Sequence, residues 1–516
     1  MNGAHAIIDT LTGCGVEVCF ANPGTSEMQL VAAIDRQDGM RAILCLFEGV
    51  VTGAADGYGR MADKPAATLL HLGPGIGNGL ANLHNARRAR TPVLNLVGEH
   101  ATDHLHHDAP LTSDTAAVAR PMSDWLRLSR SARDLAQAGA EAYAAAMTYP
   151  GRIATVIVPA DHAWTDGAAP AGPPALPVPP RSPRPVIGQA ADALRATSGP
   201  CCLFLGGRAL REDTLVQAGR IAAATGARLV CETFPARQAR GAGRVAVEKL
   251  PYFGEQAEAF LRQFDTILFC GAEPPVSFFA YPGKPGWLSP PQAQLIRLAG
   301  PAEDVHAALA DLATALDAPA DPALVQPPGE HPPLEEGPLT PASLAAILAG
   351  LIPENAIISD EAVTAGVALQ AMTVGARPHE WLSLTGGSIG QGLPVAVGAA
   401  VACPDRKVIA LQADGSGMYT NQALWTMARE GLDIVTIILN NGSYAILNIE
   451  LARVGVRDPG PKALSMLDLT RPAINWAQLS ESLGVPATRV ATTGAFREAL
   501  AHSLATGGPR LIEALL

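Results

Sequence analysis

Two stretches decide the fold of this chain: VIALQADGS at residues 408–416 and IVTIILNNGS at residues 434–443. Each joins an apolar, β-branched run to polar residues, which predicts a strand ending in a turn. Asp414 and Asn441, 27 positions apart (441 − 414), then lie at the carboxyl ends of two strands, where open α/β sheets bind ligands. Their oxygens and a nearby backbone carbonyl form the shell that Mg²⁺ prefers, completed by phosphates. The spacing therefore predicts a metal-bound diphosphate.

Length and composition bound the class of protein. The 516 residues suffice for three domains, and 48% hydrophobic against 16% charged residues predicts large cores. The net charge of -11 argues against nucleic acid or an anionic membrane as partner. Eight scattered cysteines without metal-finger spacing indicate reduced thiols in a cytoplasm. Neither a signal peptide nor a membrane-spanning run is expected.

Two proline-rich stretches divide the chain. Residues 170–185 and 319–341 each carry eight prolines, which helices and sheet interiors exclude. We therefore expect domains at 1–166, 186–318 and 339–516, joined by linkers at 167–185 and 319–338. In each domain short β-branched runs alternate with Ala/Leu-rich stretches, which predicts doubly wound, parallel α/β sheets. The expected strands are 67–72, 93–97, 153–159, 202–205, 228–232, 266–270, 295–298, 356–360, 381–384, 408–411 and 434–439.

The paired motifs carry a family resemblance. Either motif alone is typical of an ordinary turn. Together, in this order and at this spacing, they match the signature of thiamine-diphosphate-dependent enzymes. The chain resembles the acetolactate synthase, benzoylformate decarboxylase and pyruvate decarboxylase family over nearly its whole length. The resemblance implies a pyrimidine-binding first domain, a middle domain and a diphosphate-binding third domain, with Mg²⁺ on Asp414, Asn441 and the Ser443 carbonyl. It further implies cofactor contacts at Glu48, Thr364, Gly387, Ser388, Ile389, Asp414, Gly415, Ser416, Asn441, Tyr444, Ala445 and Ile446.

Glu48 follows an apolar run and precedes a helical stretch. Between Phe47 and Val50 its carboxyl should be partly withdrawn from water, which suits proton shuttling. An exposed strand-end glutamate is an equal alternative from the residues alone. By resemblance, Glu48 hydrogen-bonds the pyrimidine ring nitrogen of the cofactor and promotes its activation. Because Glu48 and Asp414 lie on different domains, the resemblance implies that they meet across the interface of a homodimer or homotetramer.

A glycine-rich stretch at residues 386–392 follows another expected strand. Without the resemblance it would be a flexible loop before a helix. The family places a large apolar side chain under the cofactor from this loop, and Ile389 fits that position. Gly387 would offer its carbonyl to the aminopyrimidine ring.

A second glycine-rich stretch, residues 73–79, suggests dinucleotide binding with Glu99 twenty positions later (99 − 79). Pro74 removes one backbone N–H from such an anion cradle, which weakens the dinucleotide-binding interpretation. By resemblance, this glycine-rich loop packs at the subunit interface instead. The dinucleotide-binding interpretation leaves an NAD-dependent oxidoreductase as an alternative class of function.

Candidate substrate residues lie in the first domain. Thr25 aligns with a polar residue of the decarboxylases, and Ser26 reads as a helix cap. His71 falls where benzoylformate decarboxylase places a histidine, and His106-His107 resembles the double histidine of pyruvate decarboxylases. Histidines can bind a carboxylate and move protons at neutral pH. A structural histidine at 71 and a solvated or adventitious metal-binding loop around His104–His107 are the alternatives.

Departures from the family limit the reaction. Ser123 stands where acetolactate synthases carry a lysine, and the short middle segment argues against FAD. Residues 278–281 lack the second decarboxylase histidine, and Phe278, Phe279 and Tyr281 would instead wall an apolar pocket. We therefore expect decarboxylation of a 2-oxo acid, with or without ligation of the resulting enamine to an aldehyde or 2-oxo acid. An acetolactate-synthase-like carboligase and a non-catalytic ligand-binding homologue are the remaining alternatives.

Overall fold

This computed structural model describes residues 1–197, 199–331 and 334–516 of the chain. Their strands form three sheets, which are parallel except for one antiparallel edge strand. The first sheet has the strand order β2-β1-β3-β4-β6-β5, and all of its pairs are parallel. Its strands are β1 (Val18–Asn22), β2 (Arg41–Leu44), β3 (Ala66–Leu70), β4 (Val93–Glu99), β5 (Trp125–Leu128) and β6 (Ile153–Pro159). Its helices are α1 (Gly3–Gly13), α2 (Met28–Asp35), α3 (Glu48–Ala62), α4 (Leu72–Ala89), α5 (Thr115–Ala119), α6 (Ala132–Ala146) and α7 (Ala160–Trp164).

The middle segment forms a smaller parallel sheet, of order β10-β8-β7-β11-β12. The strands of the middle segment, of which all but β9 belong to this sheet, are β7 (Cys201–Leu205), β8 (Arg228–Cys231), β9 (Gln238–Arg240), β10 (Glu248–Lys249), β11 (Thr266–Cys270) and β12 (Gln294–Ala299). Its helices are α8 (Arg184–Ala196), α9 (Glu212–Thr225), α10 (Gly254–Leu261) and α11 (Val305–Ala315).

The third sheet has seven strands, in the order β17-β18-β16-β15-β13-β14-β9. The strands that follow the middle segment are β13 (Ala356–Glu361), β14 (His379–Ser383), β15 (Val408–Ala413), β16 (Ile434–Asn440), β17 (Ala487–Val490) and β18 (Arg510–Leu515). The helices are α12 (Pro341–Leu351), α13 (Gly366–Met372), α14 (Gly392–Ala402), α15 (Asp414–Gly417), α16 (Ala423–Glu430), α17 (Ala445–Arg453), α18 (Pro461–Ser465), α19 (Trp476–Ser482) and α20 (Thr493–Ala505). The predicted class, three parallel α/β sheets, is confirmed.

Strand β9 departs from the predicted partition, because it comes from the middle segment and joins the third sheet. It pairs antiparallel with β14, with Ala239 opposite Glu380. Helix α8 begins at Arg184, inside the stretch 167–185 that the prolines mark as a linker. The predicted domain limits themselves stay predictions. The linker at 319–338 contains residues 332 and 333, and the middle domain contains residue 198, all three outside the described ranges.

The glycine-rich stretch 73–79 is helical, which contradicts its reading as a dinucleotide-binding loop. It forms the first turns of α4, which begins at Leu72, directly after the N-cap residue His71. Pro74 is the third residue of this helix, where the backbone N–H has no intrahelical partner, so proline is tolerated. Strand β3 therefore ends at Leu70, two residues earlier than predicted. No open N–H cradle is formed by these glycines.

Helices α3 and α14 join the first domain to the third at a close crossing. A Cβ atom added at Gly398 would overlap the Ala54 carbonyl and lie 2.5 Å from the Tyr58 nitrogen. A Cβ at Gly57 would likewise overlap the backbone of Val395. The absence of side chains at Gly57 and Gly398 thus lets the two backbones touch, and buried residues of both helices form one apolar core.

None of the helices in the described ranges has the length and apolar character needed to cross a membrane.

We predict that Gly398→Ala separates the two helices and lowers the thermal stability. Overpacking of a tight core contact costs about 1–3 kcal/mol. Gly188→Ala is the matched control, because Gly188 lies in helix α8 and an added Cβ there meets nothing within 4 Å. That substitution should stabilise the helix by about 1 kcal/mol. Thermal unfolding followed by circular dichroism measures both, and equal melting temperatures for the two variants would contradict the close crossing.

Candidate active site

Asp414 lies at the carboxyl edge of the third sheet and ties the two diagnostic motifs together. Strands β15 and β16 are parallel neighbours, with Ala413 opposite Leu439. The Asp414 carboxylate is 2% exposed and accepts the N–H of Gly442 at 2.8 Å and that of Gly415 at 2.9 Å. Burial raises the pKa of Asp414, against these hydrogen bonds, which lower it. One buried carboxylate thus holds both turns in a fixed relation.

The other two predicted metal ligands lie on the turn that Asp414 holds. Asn441 is exposed, and its amide oxygen accepts the N–H of Ser443 at 3.0 Å. The Ser443 hydroxyl donates to the Leu467 carbonyl at 3.0 Å, which fixes this turn to the segment after α18. A carboxylate, an amide oxygen and a backbone carbonyl fit Mg²⁺, and a cation would offset the buried charge of Asp414. Among the described residues, no group of three or more His, Cys, Asp or Glu side chains could hold a metal.

Gly415 provides space for the residues that follow the second motif. A Cβ atom at Gly415 would lie 2.5 Å from the Tyr444 ring and 2.9 Å from the Leu469 side chain. Tyr444 is the N-cap residue of α17, so the ring packing sets where Ala445 and Ile446 begin that helix. The Ser416 hydroxyl is buried and accepts the Gln412 amide N–H at 2.6 Å, so that side chain points into the protein.

The 386–392 loop is held from the first domain by two asparagines of α4. Asn85 donates to the Ser388 carbonyl at 2.7 Å and accepts the Ser388 N–H at 3.2 Å. Asn82 donates to the Gly390 carbonyl at 3.2 Å. Gly387 has φ +73°, and a Cβ there would lie 2.6 Å from the ring of Phe278. The half-buried Ile389 is thereby carried on a loop that both neighbouring domains restrain.

Glu361, which was not among the predicted site residues, holds the same loop from the end of strand β13. Its two carboxylate oxygens accept the N–H groups of Gly390 and Gly392, each at 2.6 Å. Two residues further on, Val363 has φ +50°, a conformation that is strained for a β-branched residue. The half-buried Thr364 follows it. An acid at the end of a predicted strand, as at Asp414, was the signal that could have identified Glu361.

Glu48 is the first residue of α3 and faces the start of α4. It is half-buried, and its carboxylate accepts the Asn78 amide N–H at 3.0 Å. A negative charge is favoured at a helix N-terminus, where the backbone N–H groups are unpaired. The packing of α3 on α14 therefore sets the position of Glu48 relative to the 386–392 loop.

His71 is paired with a second acid that the sequence analysis missed. The Glu27 carboxylate is fully buried and lies 2.8 Å from His71 Nδ1. It also accepts the Gly24 N–H at 2.7 Å, so Glu27, and not Ser26, completes the helix cap. Burial raises the pKa of Glu27, and the nearby His71 lowers it. Fixing Nδ1 on Glu27 leaves His71 Nε2 free for a ligand. In the sequence, a glutamate three residues after the turn glycine Gly24 was the pattern that could have identified Glu27 as the capping residue.

Thr25 and the histidine cluster are on exposed loops. Thr25 begins a 3₁₀ turn, Thr25–Glu27, and its neighbour Gly24 packs under the His71 ring. His106 and His107 lie in the 3₁₀ turn Leu105–His107, with their ring centroids 3.8 Å apart. His104 stacks 5.3 Å from His107. Gly24, next to Thr25 in the chain, thus contacts His71, and the rings of the histidine cluster pack mainly against one another.

The predicted apolar wall at residues 278–281 is a packed aromatic cluster. Phe278 contacts Phe279, Phe234 and Tyr252, with ring centroids 5.1–5.8 Å apart. A crevice lined by Tyr252, Phe278, Phe279 and Tyr281 is about 10 Å³ in volume, too small for a substrate. The Tyr281 hydroxyl donates to Glu450, which fixes it at the contact between the middle domain and α17. The prediction that Phe278, Phe279 and Tyr281 wall an apolar pocket stays a prediction, since Phe278 also lines a larger cavity.

A separate cavity of about 670 Å³ lies where the carboxyl edge of the middle sheet faces the first domain. Of the residues singled out from the sequence, Phe278 lines it, whereas the predicted catalytic, cofactor and metal residues do not. Its arginines are largely engaged, because Arg208 and Arg211 both pair with Asp63, at 3.1 and 2.9 Å. The cavity reaches Phe278, the residue that packs on Gly387.

Comparison with known proteins assigns the family. The model described as "Thiamine pyrophosphate enzyme, N-terminal TPP binding domain" matches residues 1–118, and the corresponding C-terminal domain model matches residues 364–514. A Mycobacterium tuberculosis protein, provisionally named acetolactate synthase large subunit IlvX, is 52% identical over 522 residues, covering 100% of this chain and 99% of that protein. The chain belongs to the thiamine pyrophosphate enzyme family.

Two decarboxylases are also similar over the full length. Benzoylformate decarboxylase of Pseudomonas aeruginosa is 30% identical over 533 residues, covering 97% of this chain and 96% of that protein. The solved structure of a thiamine diphosphate-dependent 4-hydroxybenzoylformate decarboxylase from Rhodococcus jostii RHA1 superposes with a TM-score of 0.87 at 26% identity, covering 100% and 99% of the two chains.

We predict that Glu27→Gln reduces turnover at least about tenfold, because His71 loses the anion that orients its ring. A double-mutant cycle with His71→Ala separates orientation from general damage. Once His71 is absent, Glu27→Gln should have little further effect on kcat. Fully additive losses in the double variant would mean that Glu27 acts only as a helix cap.

Proposed function

We propose that the protein is a thiamine-diphosphate- and Mg²⁺-dependent enzyme that decarboxylates a 2-oxo acid, with or without ligation of the product to a second carbonyl compound. The observation that carries the proposal is the buried Asp414, which joins the two turns of the metal-diphosphate motif, together with an acid, Glu48, at the start of α3. When bound, the cofactor supplies a carbon nucleophile and an acceptor for the electrons released with CO₂. The side chains must bind, orient and exchange protons around it.

The proposed roles follow the positions of the side chains. Asp414, Asn441 and the Ser443 carbonyl would hold Mg²⁺, and Gly415 with the start of α17 would line the diphosphate. Glu48 would exchange a proton with the pyrimidine ring. The 386–392 loop would present Ile389 beneath the cofactor and the Gly387 carbonyl to its amino group. Thr25 and His71 would orient the substrate carboxylate and move protons, with His106 and His107 entering from their exposed loop.

Within this class, we favour a benzoylformate-decarboxylase-like reaction over acetolactate synthesis. Ser123 is neutral and already engaged, since its hydroxyl donates to the Ala119 carbonyl at 2.9 Å and lies 2.8 Å from Thr155 Oγ1. It supplies no cation for a second 2-oxo acid. The half-buried His71, paired with the buried Glu27, provides instead a proton-transfer group of the kind that a decarboxylase needs. The similarity to the protein named as an acetolactate synthase large subunit keeps the carboligase as the second candidate.

We further propose that the active form is a homodimer or homotetramer. The segment that follows the metal-binding turn carries exposed apolar side chains. They are Leu447, Ile449, Val454, Val456, Leu464 and Met466. Exposed apolar surface of this extent next to a site is typical of a protein interface. A second copy could supply Glu48 to the cofactor that Asp414 holds.

One assay separates the candidate reactions. Purified protein with thiamine diphosphate and Mg²⁺ is incubated with pyruvate, branched 2-oxo acids, benzoylformate or oxalyl-CoA, and CO₂ and acetolactate are measured. Release of CO₂ with an aldehyde as product supports the decarboxylase. Acetolactate as the main product from pyruvate would replace it with the carboligase. Absence of CO₂ release from every substrate would overturn the proposed reaction class.

Glu48→Gln is predicted to lower turnover at least about 100-fold while leaving the melting temperature unchanged, because an amide cannot exchange the proton. Glu17→Gln is the matched control, since Glu17 is a 61% exposed acid of the same domain. Its turnover should equal that of the wild type. Undiminished activity of Glu48→Gln would remove Glu48 from the proposed chemistry.

A further inference from the structure

A buried network links the two loops that would hold the cofactor, and Glu361 is at its centre. Glu361 is the last residue of β13, a strand between β14 and β15 in the third sheet, and is 2% exposed. Besides the N–H groups of Gly390 and Gly392, it accepts the Gln412 amide N–H at 3.1 Å. All three donors are neutral. The charge of the ionised carboxylate is therefore stabilised by hydrogen bonds alone.

Gln412 extends the network to the metal-binding turn. Its amide nitrogen also donates to the Ser416 hydroxyl at 2.6 Å, and Ser416 lies in α15 beside Asp414. A continuous chain of buried polar groups thus runs from the 386–392 loop to the 414–417 turn. Such networks restrain the relative position of their members.

The geometry leaves little room for adjustment at the loop end of the network. A Cβ atom at Gly392 would lie 2.8 Å from Glu361 Cβ and 3.1 Å from its Oε2. Gly390 has φ +94°, a backbone conformation that favours glycine. The Gly390 carbonyl is held as well, by Thr420 at 2.9 Å and Asn82 at 3.2 Å. Glu361 therefore holds the N–H groups of a loop whose Gly390 carbonyl is held from other elements.

Burial opposes ionisation of Glu361. It raises the pKa of Glu361 to about 7, although the hydrogen bonds from Gly392, Gly390 and Gln412 lower it. A protonated carboxyl has one oxygen that carries a hydrogen and is a poor acceptor, so one N–H would lose its partner. The other charged groups on the elements around the network are Asp360 on the same strand, Asp414 on the turn, and the Asp56–Arg60 pair of α3, which Gln391 contacts at 3.2 Å.

We propose that Glu361 is a positioning residue whose ionised carboxylate holds the 386–392 loop in register with the 414–417 turn, so that cofactor binding requires its negative charge. The inference rests on the proposed thiamine diphosphate site. Cofactor binding selects the ionised form and releases the proton of any protonated molecule. Affinity should therefore rise with pH until Glu361 is ionised in the free protein, and level off above that point.

The test measures affinity for thiamine diphosphate with Mg²⁺ by calorimetry from pH 6 to pH 8.5, without substrate. In the wild type the dissociation constant should rise as pH falls below the pKa of Glu361, at most about tenfold per pH unit. Glu361→Gln should bind about tenfold more weakly at pH 8 and lose most of this extra pH dependence. Titration of the ligand itself is common to all variants and cancels in the comparison.

Asp360→Asn is the matched control. Asp360 is the neighbouring acid on β13, but its carboxylate accepts from Gln370 at 2.8 Å, Trp381 at 3.0 Å and the Ala362 N–H at 3.0 Å. This variant should keep the wild-type pH dependence. The proposal is overturned if Glu361→Gln and Asp360→Asn show the same affinity and the same pH profile.

A second measurement decides the matter if Glu361→Gln does not fold. Calorimetry of the wild type in two buffers of different ionisation enthalpy counts the protons exchanged on binding. After subtraction of the protons that the ligand itself exchanges, release should be greatest at low pH and fall towards zero as pH rises through the pKa of Glu361. No net release at any pH from 6 to 8.5 would overturn the proposal. Since neither measurement uses a substrate, an error in the proposed reaction leaves both tests valid.

Discussion

The crossing of α3 and α14 is the constraint on which the rest of the site depends. Glycines at the contact let two helices from different domains approach until their backbones touch. Helix α3 begins at Glu48, and α14 begins where the 386–392 loop ends. Within one chain, the same contact thus fixes both Glu48 and the proposed cofactor loop, which would serve two different sites of a dimer. A larger residue at position 57 or 398 would push the two helices apart, and with them Glu48 and the 386–392 loop.

Within the packed domains, buried carboxylates position the individual turns of the proposed site. Glu27, Glu361 and Asp414 are each nearly or fully buried, and each accepts at least one backbone N–H from a turn that the proposed site uses. Burying an acid costs free energy unless its hydrogen bonds are made. A carboxylate that binds two turns at once therefore penalises any arrangement that separates them. Burial raises the pKa of all three groups, because the nearby His71, in the case of Glu27, and hydrogen bonds, in all three cases, offset it only in part.

Much of the fold could be predicted because parallel, buried strands leave an unambiguous pattern. The runs at 153–159 and 266–270 are strands with the predicted limits. Asp414 and Asn441 could be placed together because adjacent parallel strands end at the same edge of the sheet. Glycine content misled the prediction at residues 73–79, where tertiary packing keeps a glycine-rich stretch helical. Strand β9 was missed because three residues carry too little pattern, and its pairing with β14 depends on a contact distant in sequence.

The site residues that the sequence did not reveal share a physical reason. Glu27 and Glu361 act through contacts with residues far along the chain, such as His71 and Gly390, so no local pattern marks their partners. Asn82 and Asn85 hold the 386–392 loop from more than 300 positions away, on a helix whose glycines suggested a loop. Local sequence identifies groups that can do chemistry, whereas the groups that orient them become visible only when the domains are packed.

The middle domain also helps to position the site, because its contacts with the third domain support the elements around the metal-binding turn. It extends the third sheet through β9, and Phe278 covers Gly387 of the 386–392 loop. Arg453 of α17 pairs with Glu255 of α10 through two contacts, at 2.7 and 3.0 Å, and packs over the ring of Phe253. These contacts brace the loop and the helix on either side of the metal-binding turn. A displacement of the middle domain would therefore reach the proposed cofactor through Gly387 and α17 at the same time, which makes this domain a structural support of the site even without a ligand of its own.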